Sequence, residues 1–141
     1  MIWKMMLIAP AALLLAATPA ATQQTQADLA GLWRFDLTSP QGTTTLGAMT
    51  VLRNKDSGAY EGKVITNGGV EALPIRSIQI QSRRMTMEVD SPRGLVVFRG
   101  DLGLSGQSFS GTLTYHDGRD FWMAGVKQQA PLPSPPTRAT P

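Results

Sequence analysis

The stretch FRGDLGLSGQSFSGTLTY (Phe98–Tyr115) writes one five-residue phrase twice: aromatic, x, Gly, x, leucine. Upstream, YEGKV (Tyr60–Val64) writes it again with valine in the last place. In every copy the aromatic, the glycine and the aliphatic residue stand two positions apart, so an extended chain carries all three on one face. The positions between them are Glu61, Lys63, Arg99, Asp101, Ser110 and Thr112, all charged or hydroxylated. That is the alternation of a strand with one face dry and one face wet. A glycine inside a strand costs about 0.5 to 1 kcal/mol relative to alanine. Three at the same place in the pattern therefore ask for a reason. A tightly coiled sheet supplies it, because inward glycines relieve crowding on the concave face and allow the bend. An open sandwich that happens to use glycine is the alternative.

Working outward from the phrase, eight segments alternate in this way: 31–37, 43–53, 59–66, 70–81, 84–90, 94–102, 108–115 and 120–127. Turn-forming clusters separate them, among them SPQG, NKDSG, NGG, SRR, SPRG and HDGR. No segment shows a helical period. Short links between successive strands favour an antiparallel meander, and eight strands in a meander close into a barrel that leaves no free edge. The fold expected is an all-β, eight-stranded, up-and-down barrel. Its inward residues are read as Trp33, Phe35, Leu37, Val51, Tyr60, Val64, Leu73, Ile75, Ile78, Ile80, Met85, Met87, Val89, Val96, Phe98, Leu102, Phe109, Leu113, Trp122 and Val126. Leu46 and Leu52 run out of phase with Met49 and Val51 in the second strand. The fourth changes phase between Ile75 and Ile78, which predicts a bulge at Arg76 and Ser77.

The two ends of the chain read differently from this middle. Residues 1–21 place one cation, Lys4, before an apolar run from Met5 to Ala17 and then small residues, the layout of a secretory signal peptide cut near Ala20 or Ala21. Residues 22–29 then form a short N-terminal segment of the mature chain, and 30–127 the barrel domain. Residues 128–141 hold five prolines and almost nothing apolar, the composition of a disordered tail. With no cysteine, the chain has neither a disulfide nor a site for a lipid-modified cysteine. A periplasmic or secreted protein without a stable membrane anchor is expected.

Without residues 1–21 the chain carries twelve cations against ten anions, evenly spread, which does not indicate nucleic acid as a partner. The one histidine, His116, lies in YHDGRD, a turn sequence. It has no cysteine or second histidine to build a transition-metal site and no spaced serine to suggest a triad. Asp117 and Asp120 flank the same turn, and HDGRD lacks the ligand spacing of a calcium loop. No glycine loop opens a helix to hold a phosphate. Neither catalysis, nor a cofactor, nor a metal is expected.

The first strand opens with Gly31, Leu32 and Trp33, followed by the meander. This resembles the G-x-W start of the calycin-type barrels, the group of lipocalins and avidins. The resemblance implies that Trp33 plugs one end of the barrel under a cation from near the last strand, Lys127 in the first place and otherwise Arg119, set against the ring face. It also implies an apolar or amphipathic small ligand. Tyr60, Tyr115, Trp33 and Trp122 are the candidate ligand-lining aromatics, although as plain core they need no ligand. Leu95 and Val97, with Phe121 and Met123, are read as an apolar outer stripe for a partner, a second copy or the flanking tail. Ser110, Thr112 and Thr114 divide that stripe. The other function considered is a periplasmic protein-binding module such as a protease inhibitor. Small eight-stranded inhibitors share an AGxW-like start and insert the preceding segment, here QQTQADLA (Gln23–Ala30), although they generally carry a disulfide that this chain cannot make.

Overall fold

A computed structural model describes residues 26–66 and 71–129. The signal-peptide reading of residues 1–21 and nearly all of the proline-rich tail lie outside these described residues. Eight strands follow one another: β1 (Gly31–Thr38), β2 (Thr44–Arg53), β3 (Tyr60–Thr66), β4 (Leu73–Gln81), β5 (Arg84–Ser91), β6 (Gly94–Leu102), β7 (Ser108–Thr114) and β8 (Asp120–Lys127). Each pairs antiparallel with its neighbour in sequence, and β8 returns to β1, so the sheet is a closed up-and-down barrel. The described residues contain no helix.

Alternation decides what fills the barrel. Trp33, Phe35 and Leu37 from β1, Met85, Met87 and Val89 from β5, and Phe98, Phe109 and Leu113 from β6 and β7 are all buried inside. Phe109 stands at the centre, its ring centroid 5.5 Å from that of Trp33 and 5.3 Å, edge-on, from that of Phe98. These are the offset and edge-to-face separations that aromatic quadrupoles favour. The bulge expected in the fourth strand is present: the β4–β5 register shifts between Ile75 and Ser77. Beyond it Ile78 and Ile80 turn back onto the core.

The repeated phrase has a mechanical meaning. Gly100 and Gly111 are direct register partners on β6 and β7. A Cβ on Gly111 would sit 2.3 Å from the Arg99 carbonyl oxygen and 2.4 Å from the Gly100 Cα. Those are backbone atoms of the neighbouring strand and cannot step aside. The missing side chains let the wall coil tightly at this seam, and the Phe98 ring leans over Gly100 to fill the space.

The same device appears in two strands where the phrase is less regular. The Phe35 ring covers Gly47 on β2, and the Phe109 ring covers Gly125 on β8. That placement of Gly125 corrects the phase expected for the last strand. Trp122 and Val126 are on the outer wall, 54% and 53% exposed, while Met123 and Gly125 are buried inside and Phe121 packs on the core. Both phases of DFWMAGVK are apolar, so alternation did not choose between them. The Phe109 ring did, because it fills the space beside its register partner Gly125 that a Cβ would need.

The seams are not equal. Among the described residues the β3–β4 seam joins three register pairs, where every other seam joins six to eight. One of the three pairs Lys63 with Pro74, which has no N–H to give.

Candidate functional site: a sealed end and an open end

One end of the barrel is sealed by the segment that leads into β1. Leu29 is buried and its carbonyl oxygen accepts a hydrogen bond from Trp33 Nε1 at 2.8 Å. Its amide donates to the Tyr60 hydroxyl at 3.3 Å. Lys127, at the end of β8, crosses above: its Nζ donates to the Asp28 carbonyl at 2.9 Å and lies 5.9 Å from the centroid of the Trp33 ring. Gly31 makes that crossing possible. Its φ is +140°, a region L side chains avoid, and a Cβ there would meet Lys127 Cε at 2.8 Å. Ala27 lies against Gly106 in the β6–β7 turn, so the seal rests on the rim as well as on the plug. Trp33 is thus fully enclosed, its one polar group satisfied and its face covered by a cation. Arg119, the other cation considered for this position, lies at the opposite end, 5.9 Å from the Phe121 ring.

At the opposite end no segment among the described residues crosses the interior. An apolar recess of about 60 Å³ opens there, lined among others by Leu37, Met87, Leu113, Tyr115 and Met123. Tyr115 stacks at a tilt on Phe121, with ring centroids 4.7 Å apart, and forms part of the rim. The β7–β8 turn beside it is held by polar groups. Arg119 donates to Asp117 from its backbone N–H at 3.1 Å and from Nε at 2.8 Å, and Thr114 Oγ1 donates to Asp120 Oδ1 at 2.7 Å. The backbone hydrogen bond from Arg119, aided by its guanidinium, holds the Asp117 carboxyl below the usual aspartate value. His116 is exposed in this turn, and its Cβ abuts Gly94 of the next hairpin. Among the described residues no three histidine, cysteine, aspartate or glutamate side chains come together in a metal-binding group.

The four aromatics read from the sequence as one ligand surface are therefore separated. Trp33 and Tyr60 belong to the sealed end, Tyr115 lines the open recess, and Trp122 stands on the outer wall. The expected outer stripe is divided too. Leu95 and Val97 are half-buried on the outside of β6, across from Asp90 and Glu88, but Met123 and Phe121 face inward. Sequence reasoning missed the lining role of Met87 and Met123 at the open end. It also missed the outer wall of β1 to β3, where Leu32, Leu52 and Ile65 border a groove of about 650 Å³. The out-of-phase Leu52 was the available sign of that wall.

No protein-family model matches this chain. No curated protein is significantly similar to it. Among solved structures it is similar to a redesigned beta barrel, with a TM-score of 0.57 and 20% identity over 72% of this chain and 92% of that one. A second is a fluorescence-activating beta barrel of de novo design, with a TM-score of 0.48 and 21% identity over 70% of this chain and 93% of that one. The first likeness is one of fold: a small, closed, eight-stranded antiparallel barrel.

Proposed function

We propose that the chain is an exported, non-enzymatic barrel that takes the apolar end of a small amphipathic ligand into its open mouth. One observation carries this reading: an interior sealed and filled at the Trp33 end gives way, at the Tyr115 end, to a recess with an apolar lining. Ligand sites combine such a lining with a few polar side chains, and those bordering this recess are Thr66, Ser91 and Tyr115. Size limits the ligand. An apolar cavity of about 150 Å³ accepts benzene, and this recess has less than half that volume. A terminal alkyl group enters it directly, whereas a ring requires Met87 or Met123 to withdraw. Methionine, unbranched and polarisable, is suited to that adjustment. The Gly31–Trp33–Lys127 arrangement supports a place among calycin-type barrels, and the composition of residues 1–21 supports export. The inhibitor reading is less favoured, because the segment it needs for insertion has Leu29 buried in its own barrel.

The test is a titration of the protein, methyl-labelled at methionine, with single-chain amphiphiles of increasing length. Met87 and Met123 Cε resonances are expected to shift saturably, while Met85, which pairs with Ile80 towards the sealed end and does not line the recess, stays in place. Absence of any shift at Met87 and Met123 up to millimolar amphiphile would overturn the reading. Native mass spectrometry of protein purified from its host identifies what the mouth carries.

A further inference from the structure

The outer wall of the barrel is not uniform. On β5 the outward residues are Arg84, Thr86, Glu88 and Asp90, a surface suited to water. Across the barrel, on β8, β1, β2 and β3, the outward residues are largely apolar. Of the large hydrophobic side chains exposed among the described residues, Leu32, Leu46, Leu52, Ile65, Trp122 and Val126 all stand there, and Leu104 alone lies elsewhere, in the β6–β7 turn. A single exposed aliphatic residue is ordinary, but so many on four adjoining strands form a surface that favours a partner.

Two charges mark the centre of this wall. Arg34 and Asp36 stand on the outside of β1, both exposed, and among the described residues neither has an ion-pair partner. The register fixes what flanks them. Arg34 lies between Val126 on β8 and Ala48 on β2, and Asp36 lies between Ala124 and Leu46 on the same two strands. The barrel is closed and offers no edge to an added strand, so a partner must meet the wall face to face. Sheets packed in this way lie about 10 Å apart with their strands within about 30° of one another.

These neighbours select a second copy of the same chain. A twofold axis lying in the interface at Phe35, and running across β1, sets the two β1 strands antiparallel and brings position 34 of each copy over position 36 of the other. Arg34 then meets Asp36 on both sides of the axis, a charge-assisted pairing. Val126 falls on Ala124 and Leu46 on Ala48, so each large side chain is placed over a small one. The wall is thus complementary to itself, as an isologous interface requires. An axis running along β1 would instead set Arg34 on Arg34 and Asp36 on Asp36. Four strands about 4.8 Å apart, each giving about seven residues, make a face of roughly 19 by 23 Å. That is below the roughly 800 Å² per partner of a standard interface and belongs to a weak, reversible dimer. The paired charges then fix its orientation more than its strength.

We propose that the outer wall of β8, β1, β2 and β3 is the face of a reversible homodimer, with Arg34 of each copy on Asp36 of the other. Sedimentation of the full-length protein between about 1 μM and 1 mM tests it, since so small an interface dissociates within that range. The weight-average mass is expected to rise toward twice the monomer value, and the Ala48 and Ala124 amide resonances to shift in parallel. Arg34→Asp and Asp36→Arg each set like charges against like, and each alone should weaken self-association by more than about tenfold. Mixed in equal amounts, the two variants should associate with each other as the parent does, a rescue that general damage to the fold cannot produce. Ala48→Gln fills the place that Leu46 takes without altering charge. It should also leave a monomer, which keeps the test open if a charge variant does not fold. A parent that stays monomeric throughout the range would assign the wall to another partner and overturn the proposal. So would undiminished self-association of the folded variants, or folded charge variants that fail to associate when mixed.

Discussion

At the Trp33 end, the indole N–H, the Leu29 amide and the Lys127 ammonium each find a partner, and the residues before β1 fold over the opening. At the Tyr115 end, the polar groups of the β7–β8 turn bond to one another through Asp117 and Arg119, and among the described residues none folds over the interior. The same alternating strands build both ends. What differs is whether a flanking segment supplies groups that complete the plug.

Four substitutions bear on this contrast. The largest effect is expected from Trp33→Ala, which empties the sealed end of a fully enclosed indole and should cost about 3 to 5 kcal/mol in urea denaturation. A loss under about 1 kcal/mol would mean that the plug is not what closes the barrel. Gly111→Ala is next. The added methyl group meets fixed backbone atoms of β6, and a loss of about 1 to 3 kcal/mol is expected, with the β6–β7 amides showing the largest shifts.

Lys127→Met keeps the stem over Trp33 and removes the charge and the bond to the Asp28 carbonyl, so about 1 kcal/mol should be lost. Hydrogen exchange at Leu29 should accelerate while the Tyr115 end stays unchanged. The smallest effect belongs to Trp122→Thr. On the outer wall this should alter stability by no more than about 0.5 kcal/mol. A large loss would return Trp122 to the interior and overturn the β8 register.

The strand boundaries followed from alternation and turn residues to within a few positions, and the bulge at Arg76 and Ser77 followed from a break in phase. Lys127 over Trp33 was reached through the resemblance carried by Gly31 and Trp33. The last strand was misread because alternation is informative only when one of its two faces is polar, and here neither is. A signal was nonetheless present. In YEGKV, FRGDL and FSGTL the mid-strand glycine marks the inward face, and the same rule applied to Gly125 would have turned Met123 inward. The candidate site was less legible, since a recess is defined by side chains from strands far apart in sequence, such as Leu37, Met87 and Met123.

Period-two patterning and the spacing of turns thus determined by themselves that this chain forms a coiled, antiparallel, eight-stranded sheet, because they are local properties of the backbone. Which end is sealed, which phase of β8 faces inward and where the interior stays open were decided only in the closed barrel. There β8 meets both β1 and β7, and the Phe109 ring competes with any side chain at position 125 for the same space.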